Sequence, residues 1–284
     1  MEKEMFVPEA IGLWTEIKLH IIREYAAAYT TILKEQSWCR SYAYIDAFAG
    51  GGEFVSKEER ERLIPGSPLN ALNVPNKFTE YYFIDIEQSK IDRLKELAAE
   101  RHEIKSIHFY VGDANQVLPN KILPQFQYRS FKRALCILDP YGVDIGWTTI
   151  ASLAPAKTMD VFLNFPLMDI NRNAALKKLE TADPQQGARL TKIWGDESWK
   201  ELAYIEQGQL FDAPILIKKI HGNETLKQGF LERLKRKAGF PCVAEPILMT
   251  NKEGGPLYFL FFASHQQVAQ NIAQMIFEKY RGIA

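Results

Sequence analysis

Apolar positions recur along residues 13–35 with helical spacing. Ile17, Ile21, Tyr25, Tyr29 and Ile32 fall three or four apart, which predicts an amphipathic helix. The period then changes. Continuous apolar, β-rich runs occur at 42–48, 80–86, 107–111, 134–138 and 159–165. Helical patterns separate them at about 67–74, 88–101, 114–120 and 146–153. Short runs apolar on both faces are the mark of strands covered on both sides. Their alternation with helices predicts right-handed βαβ crossovers and a doubly wound, mostly parallel sheet. Ser67-Pro68 starts a helix well, with a capping hydroxyl ahead of a proline at the first helical position.

Residues 166–238 are more polar and carry three helix-like stretches, read as a helical elaboration because no linker isolates them. Two strand-like runs, Pro241–Thr250 and Pro256–Ala263, flank the turn-forming Asn251-Lys-Glu-Gly-Gly255, which predicts an antiparallel hairpin. A final helix is expected over about 264–280. The whole reads as one α/β domain over 1–284: N-terminal helix 13–35, core 40–165, elaboration 166–238, closing hairpin and helix 240–284.

Composition changes this picture little. The chain has 284 residues, with 35 basic against 35 acidic side chains, so bulk attraction to nucleic acid or membrane is not its design. A local basic patch stays open. Cys39, Cys136 and Cys242 have no metal-site or disulfide spacing, which fits a reducing compartment. No secretory leader and no apolar run of about 20 residues is present, so the expectation is a cytoplasmic protein without a membrane partner. The five histidines show no ligand spacing, so no metal site is assigned.

Candidate chemistry gathers where strands end. Tyr42-Ala-Tyr-Ile-Asp-Ala-Phe-Ala-Gly-Gly-Gly52 runs from a strand into Asp46, Phe48 and three glycines. Gly50 and Gly52 let the backbone turn sharply and approach a ligand closely, at the edge where open α/β sheets bind ligands. Asp85 and Glu87, after the second strand, can accept ribose hydroxyls or start the next helix. The usual spacing from glycines to that acid is about 20 residues. Here it is longer, because 53–66 reads as an insertion. In Val111-Gly-Asp-Ala-Asn115, Asp113 can accept from an adenine amino group while Gly112 and Ala114 leave room for a flat ring. The alternative for Asp113 is helix capping. In Ile137-Leu-Asp-Pro-Tyr-Gly142, the Asp139 carboxylate and Pro140 carbonyl are two close acceptors and Tyr141 a stacking face. That trio suits a planar amine held with its lone pair free to attack. Asn164, at the end of strand five, borders the same crevice.

Four motifs in this order resemble a class I S-adenosylmethionine-dependent methyltransferase. The resemblance implies that the glycine turn takes the methionine part of S-adenosylmethionine. Asp85 would take the ribose and Asp113 the adenine, while the Asp139 end faces the acceptor. Trp38-Cys-Arg, residues 44–50, Gly66-Ser-Pro-Leu69, Gly112-Asp-Ala-Asn115 and Leu138-Asp-Pro-Tyr-Gly142 further resemble the three-Cys-motif partner family, TcmP. That likeness implies a three-Cys-motif protein as partner. The Asp139 motif is also similar to the Asp/Asn-Pro-Pro-aromatic motif of amino-group methyltransferases acting on adenine. It departs by one residue: Tyr141 stands at the second proline and Gly142 at the aromatic.

The expectation is therefore an S-adenosylmethionine-dependent methyltransferase acting on a nitrogen of a nucleic acid or related substrate. The basic clusters Tyr128-Arg-Ser-Phe-Lys-Arg133 and Arg233-Leu-Lys-Arg-Lys237 can track phosphates, although the second also fits a solvated helix end. Two rivals stand beside it. One is a non-catalytic partner subunit. The other is a metal-dependent hydrolase using Asp46, Asp85, Glu87, Asp113 and Asp139.

Overall fold

The computed structural model describes residues 7–59, 62–104, 106–140, 142, 144–167, 184–207, 215–218 and 222–282. The expected parallel strands all form: β2 (Ser41–Asp46), β5 (Glu80–Asp85), β6 (Ile107–Val111), β7 (Lys132–Leu138) and β8 (Met159–Phe165). They lie in the order β8-β7-β2-β5-β6, all parallel. On the other side of β8, β13 (Pro256–Ser264) runs antiparallel and carries β11 (Cys242–Val243) and β12 (Ile247–Thr250). The predicted hairpin is thus the β12–β13 pair, and it closes an eight-stranded sheet.

Both faces of the sheet are covered, which is why the strands read as unbroken apolar runs. Alternate residues serve separate cores. Ala43, Ile45, Tyr82, Ile84, Cys136 and Leu163 pack on one face. Tyr44, Tyr81, Phe83, Leu135, Ile137 and Phe162 pack on the other. The second face is covered by α1 (Leu13–Lys34), α2 (Ser67–Leu72), α3 (Gln88–Ala99) and the C-terminal helix Gln267–Arg281. The first takes α4 (Ala114–Val117), α5 (Trp147–Leu153) and the helix Gly222–Arg233.

The 53–66 insertion folds into a small sheet of its own. There β3 (Glu53–Ser56) pairs with β1 (Glu9–Ile11) and with β4 (Leu63–Pro65). The lobe grips α1. Ile11, Leu19 and Ile64 form a separate apolar cluster. Buried Glu16 accepts hydrogen bonds from Ser56 Oγ at 3.2 Å and Arg62 at 2.6 Å. Between β8 and the helix Gly222–Arg233 the described residues hold the helices Pro184–Trp194 and Trp199–Ala203, together with an antiparallel pair, Tyr204–Gln207 (β9) and Ile215–Lys218 (β10). That pair is a strand element which the helical reading of 166–238 does not contain.

Candidate cofactor and acceptor site

The carboxyl ends of β2, β5 and β7, with the turn after β6, line one edge of the sheet. The chain beyond β2 stays held between its neighbours: Ala47 N–H donates to Ile137 O at 3.0 Å and Ala49 N–H to Ile84 O at 2.8 Å. It then turns through Gly50 and Gly52, with φ of 61° and 89°. These are left-handed conformations that residues with a Cβ rarely adopt. The two glycines differ in what surrounds them. A Cβ on Gly50 would meet nothing within 4 Å, so that face opens outward. A Cβ on Gly52 would come within 2.9 Å of Leu94 Cδ1 and 3.3 Å of Leu97 Cδ1. Gly66 N–H donates to Gly52 O at 2.7 Å and closes the base of the inserted lobe.

Asp46 lies beneath this turn rather than in the crevice. It is fully buried. Its carboxylate accepts from Ser67 Oγ at 2.6 Å, from Phe48 N–H at 3.2 Å and from Tyr44 Oη at 3.5 Å. It thereby ties the glycine turn to the start of α2. Burial pushes its pKa up to about 7, and the nearby Asp139 and Asp85 charges add to the rise. Phe48 is partly buried and packs on the core.

Asp85 bridges two loops. One oxygen accepts from Gly50 N–H at 2.9 Å and the other from Glu87 N–H at 2.9 Å. Glu87 occupies the N-cap of α3 without a side-chain capping bond, and its carboxylate pairs instead with Lys90 at 2.8 Å. Asp113 does cap α4, accepting from Asn115 N–H at 2.8 Å. Ala114 is buried beside it. Asn115, the last residue of that motif, ties two loops together. Its Nδ2 donates to Asp113 and to Asp144 O, and its Oδ1 accepts from Gly146 N–H and Thr149 Oγ1. It thus locks the loop after β6 to the loop after β7.

Asp139 follows β7 and is one-quarter exposed on its side chain. Oδ2 pairs with Lys18 Nζ at 2.5 Å, and Oδ1 accepts from Asn164 Nδ2 at 2.8 Å. Lys18 is buried on α1, with its ammonium 5.1 Å from the Tyr258 ring. The sequence reading missed Lys18, because the contact spans 121 residues and a lysine on an amphipathic helix looks like a solvated one. Since a carboxylate only accepts, the Asn164 amide must turn its NH₂ toward Asp139. Asn164 Oδ1 is then an acceptor, buried and without a partner. Pro140 is buried next to Asp139. Tyr141 lies outside the described residues.

The site therefore has two halves: an open-faced glycine turn between Asp85 and Asp113, and a cluster of acceptors at Asp139 and Asn164. Among the described residues no group of three or more His, Cys, Asp or Glu side chains is placed to hold a metal ion. Nor is any helix there long and apolar enough to cross a membrane.

The strand order, with one antiparallel strand inserted beside β8, is that of the class I methyltransferase-like fold. No family model matches the chain, and no curated protein does. Among solved structures it is similar to LPL1258 from Legionella pneumophila, assigned to family DUF519. That pair has 11% identity and a TM-score of 0.51, over 92% of this chain and 91% of that one. It is also similar to Trm1 from Pyrococcus horikoshii, solved with S-adenosyl-L-methionine, at 9% identity and TM-score 0.44 over 89% and 57% of the two chains. A dimethyladenosine transferase from Plasmodium falciparum aligns at 12% identity and TM-score 0.38, over 89% and 62%.

Proposed function

We propose that the chain binds S-adenosylmethionine along the ends of β2, β5 and β6 and directs methyl transfer to a nitrogen of a nucleic acid or related substrate. The observation that carries this reading is the set of acceptors at Asp139. Asn164 Oδ1 is enclosed with no donor, one bond network away from a carboxylate already oriented by Lys18. An unpaired buried acceptor costs about 1–3 kcal/mol, so the arrangement favours a ligand that brings an N–H. S-adenosylmethionine supplies the electrophilic methyl group. Asp139, Asn164 and the Pro140 carbonyl hold the acceptor nitrogen by its hydrogens, so that its lone pair stays free. Gly50 gives the cofactor backbone-close contact, and Asp85 and Asp113 offer their remaining lone pairs to its ribose and adenine. Asp46 acts through the turn it anchors and is a positioning residue.

Isothermal titration of S-adenosylmethionine and S-adenosylhomocysteine tests the cofactor half. We expect micromolar binding that is lost in Asp85→Ala, which removes both the anchor of Gly50 and a ribose acceptor. A folded chain that binds neither compound sinks the proposal. Weight then moves to a non-catalytic subunit, checked by co-purification with a three-Cys-motif protein. Scanning DNA and RNA for transfer of a labelled methyl group tests the acceptor half.

A further inference from the structure

The opposite end of the same sheet holds a cavity of about 510 Å³ that the methyl-transfer reading does not use. It opens between α1, the turn Tyr128–Phe131, the starts of β7 and β8 and the end of β13. With β7 running about 20 Å from Arg133 to Asp139, the two sites are separate. The volume falls in the range of small-molecule sites, ~300–1,000 Å³.

Three kinds of observation meet there. First, large aromatic rings face outward at its mouth: Trp38 is 43% exposed, Tyr128 59% and Phe131 45%. Arg133 holds its guanidinium 4.5 Å from the Trp38 ring and 5.2 Å from the Tyr128 ring, and Arg40 lies 5.5 Å from Phe131. Arg133 makes its side-chain hydrogen bond to the Lys132 carbonyl, and the acid its charge reaches is the buried Asp160. Second, two residues that line the cavity carry buried polar atoms without partners, set just behind its wall. Tyr29 is 8% exposed and its hydroxyl has no hydrogen bond, and Nδ1 of His265 is likewise buried and unpaired. Third, Phe131 and Lys157 have φ of 58° and 57°, and they are the two non-glycine residues with positive φ among those described. Both line the cavity, and bulky residues hold that conformation only where the surroundings impose it.

Exposed rings, two lining cations against one buried acid, Asp160, and an enclosed hydroxyl together describe a ligand that is flat, anionic and polar at one edge. We propose that this cavity binds a nucleotide. Its base stacks on the Trp38 and Tyr128 rings, the polar edge of the base turns toward Tyr29 and His265, whose buried polar atoms become reachable by small side-chain shifts, and the phosphate lies against Arg133 and Lys157, with Arg40 beside them. The nucleotide is either free or one unit of a single strand. At the cavity floor, Asp160 already holds the Tyr25 and Ser264 hydroxyls at 2.8 and 2.5 Å, which keeps the phosphate at the rim.

The test uses the full chain with two probes, AMP and a short fluorescein-labelled single-stranded oligoribonucleotide, read by calorimetry and anisotropy. Trp38→Ala is expected to weaken binding roughly 5- to 150-fold, the value of one stacked base. Arg133→Ala is expected to weaken it and lower the salt slope of oligonucleotide binding by about 0.7. Tyr29→Phe keeps the ring in place and is expected to weaken binding several-fold, which a purely structural tyrosine would not do. AMP binding that competes with the oligonucleotide identifies a free-nucleotide site, and oligonucleotide binding alone identifies a strand. No binding of either probe overturns the proposal, as does unchanged affinity in folded Trp38→Ala and Arg133→Ala. Oligonucleotide binding lost in Lys18→Ala but kept in Trp38→Ala also overturns it, because the strand then lies at the other end. S-adenosylmethionine affinity in Trp38→Ala should equal that of the wild type. A chain that binds AMP but not S-adenosylmethionine therefore sinks the methyl-transfer reading and leaves this one standing.

Discussion

The two ends of the central sheet solve opposite problems with the same strands. At the carboxyl end the carboxylates are engaged by the protein itself: Asp46 by Ser67, Asp85 by two backbone N–H groups, Asp113 by Asn115, Asp139 by Lys18 and Asn164. At the amino end the wall is aromatic and cationic, and Tyr29 and His265 keep polar atoms unpaired. The contrast teaches where each end gets its precision. Hydrogen bonds to fixed donors hold the acidic side chains within narrow limits, which is what a site oriented for chemistry requires. Stacked rings and stem-borne charges orient less and tolerate more, which suits a platform.

The sharpest way to break this comparison is at Asp139. Asp139→Ala is expected to lower methyl transfer about 100-fold or more while leaving S-adenosylmethionine binding within a few-fold of wild type, because positioning of the acceptor is lost and the cofactor contacts are not. Initial rates with labelled cofactor check it. A variant as active as wild type would mean that the Lys18–Asp139–Asn164 network is structural. A smaller effect separates the two glycines. Gly52→Ala drives a methyl group toward Leu94 at left-handed φ and should cost about 1–3 kcal/mol in thermal or urea unfolding. Gly50→Ala meets open space and should cost only ~1 kcal/mol, yet weaken cofactor binding through the protruding methyl. Equal behaviour of the two variants in both assays would count against the turn as a cofactor cradle.

Much of this site could be seen in the sequence, and the part that could not has a physical reason. Strands buried on both faces leave long apolar runs, so β2, β5, β6, β7 and β8 and the acids that follow them were visible. The hairpin was visible from its turn residues. The small sheet of β1, β3 and β4 was not, since three- and four-residue strands at a solvated edge carry too little alternation to read. Burial also decides between partners, and a motif does not encode it. The residue types around the glycines suggest that Asp46 faces the ligand, but Ser67 arrives from the next helix and takes its carboxylate out of the crevice. Lys18 reaches Asp139 from the first turns of α1, which pack on the sheet and are held to the inserted lobe through Glu16.

The finest distinction between the two ends is electrostatic, and pH can measure it. Each end buries one carboxylate at a cost: Asp46 is pushed up to about 7 and Asp160 to about 6, in both cases chiefly by burial. Both start from 3.8 in the open chain. Between about 4 and the folded value, the native protein binds a proton that the unfolded chain has released. The stability of each site is therefore fully present below about 4 and declines as pH rises, up to about 6 for Asp160 and about 7 for Asp46. Other carboxylates with lowered pKa, Glu24 and Glu80 among them, run the opposite way, so only the difference between variant and wild type is informative. Asp46→Asn and Asp160→Asn are each expected to gain stability relative to wild type as pH is raised from 4. The gain levels off about one pH unit earlier for Asp160→Asn. Urea midpoints measured at closely spaced pH values check this. A flat difference for Asp46→Asn would mean that Ser67 and the Phe48 N–H compensate its burial fully, and that only the Asp160 end carries an electrostatic cost for its buried acid.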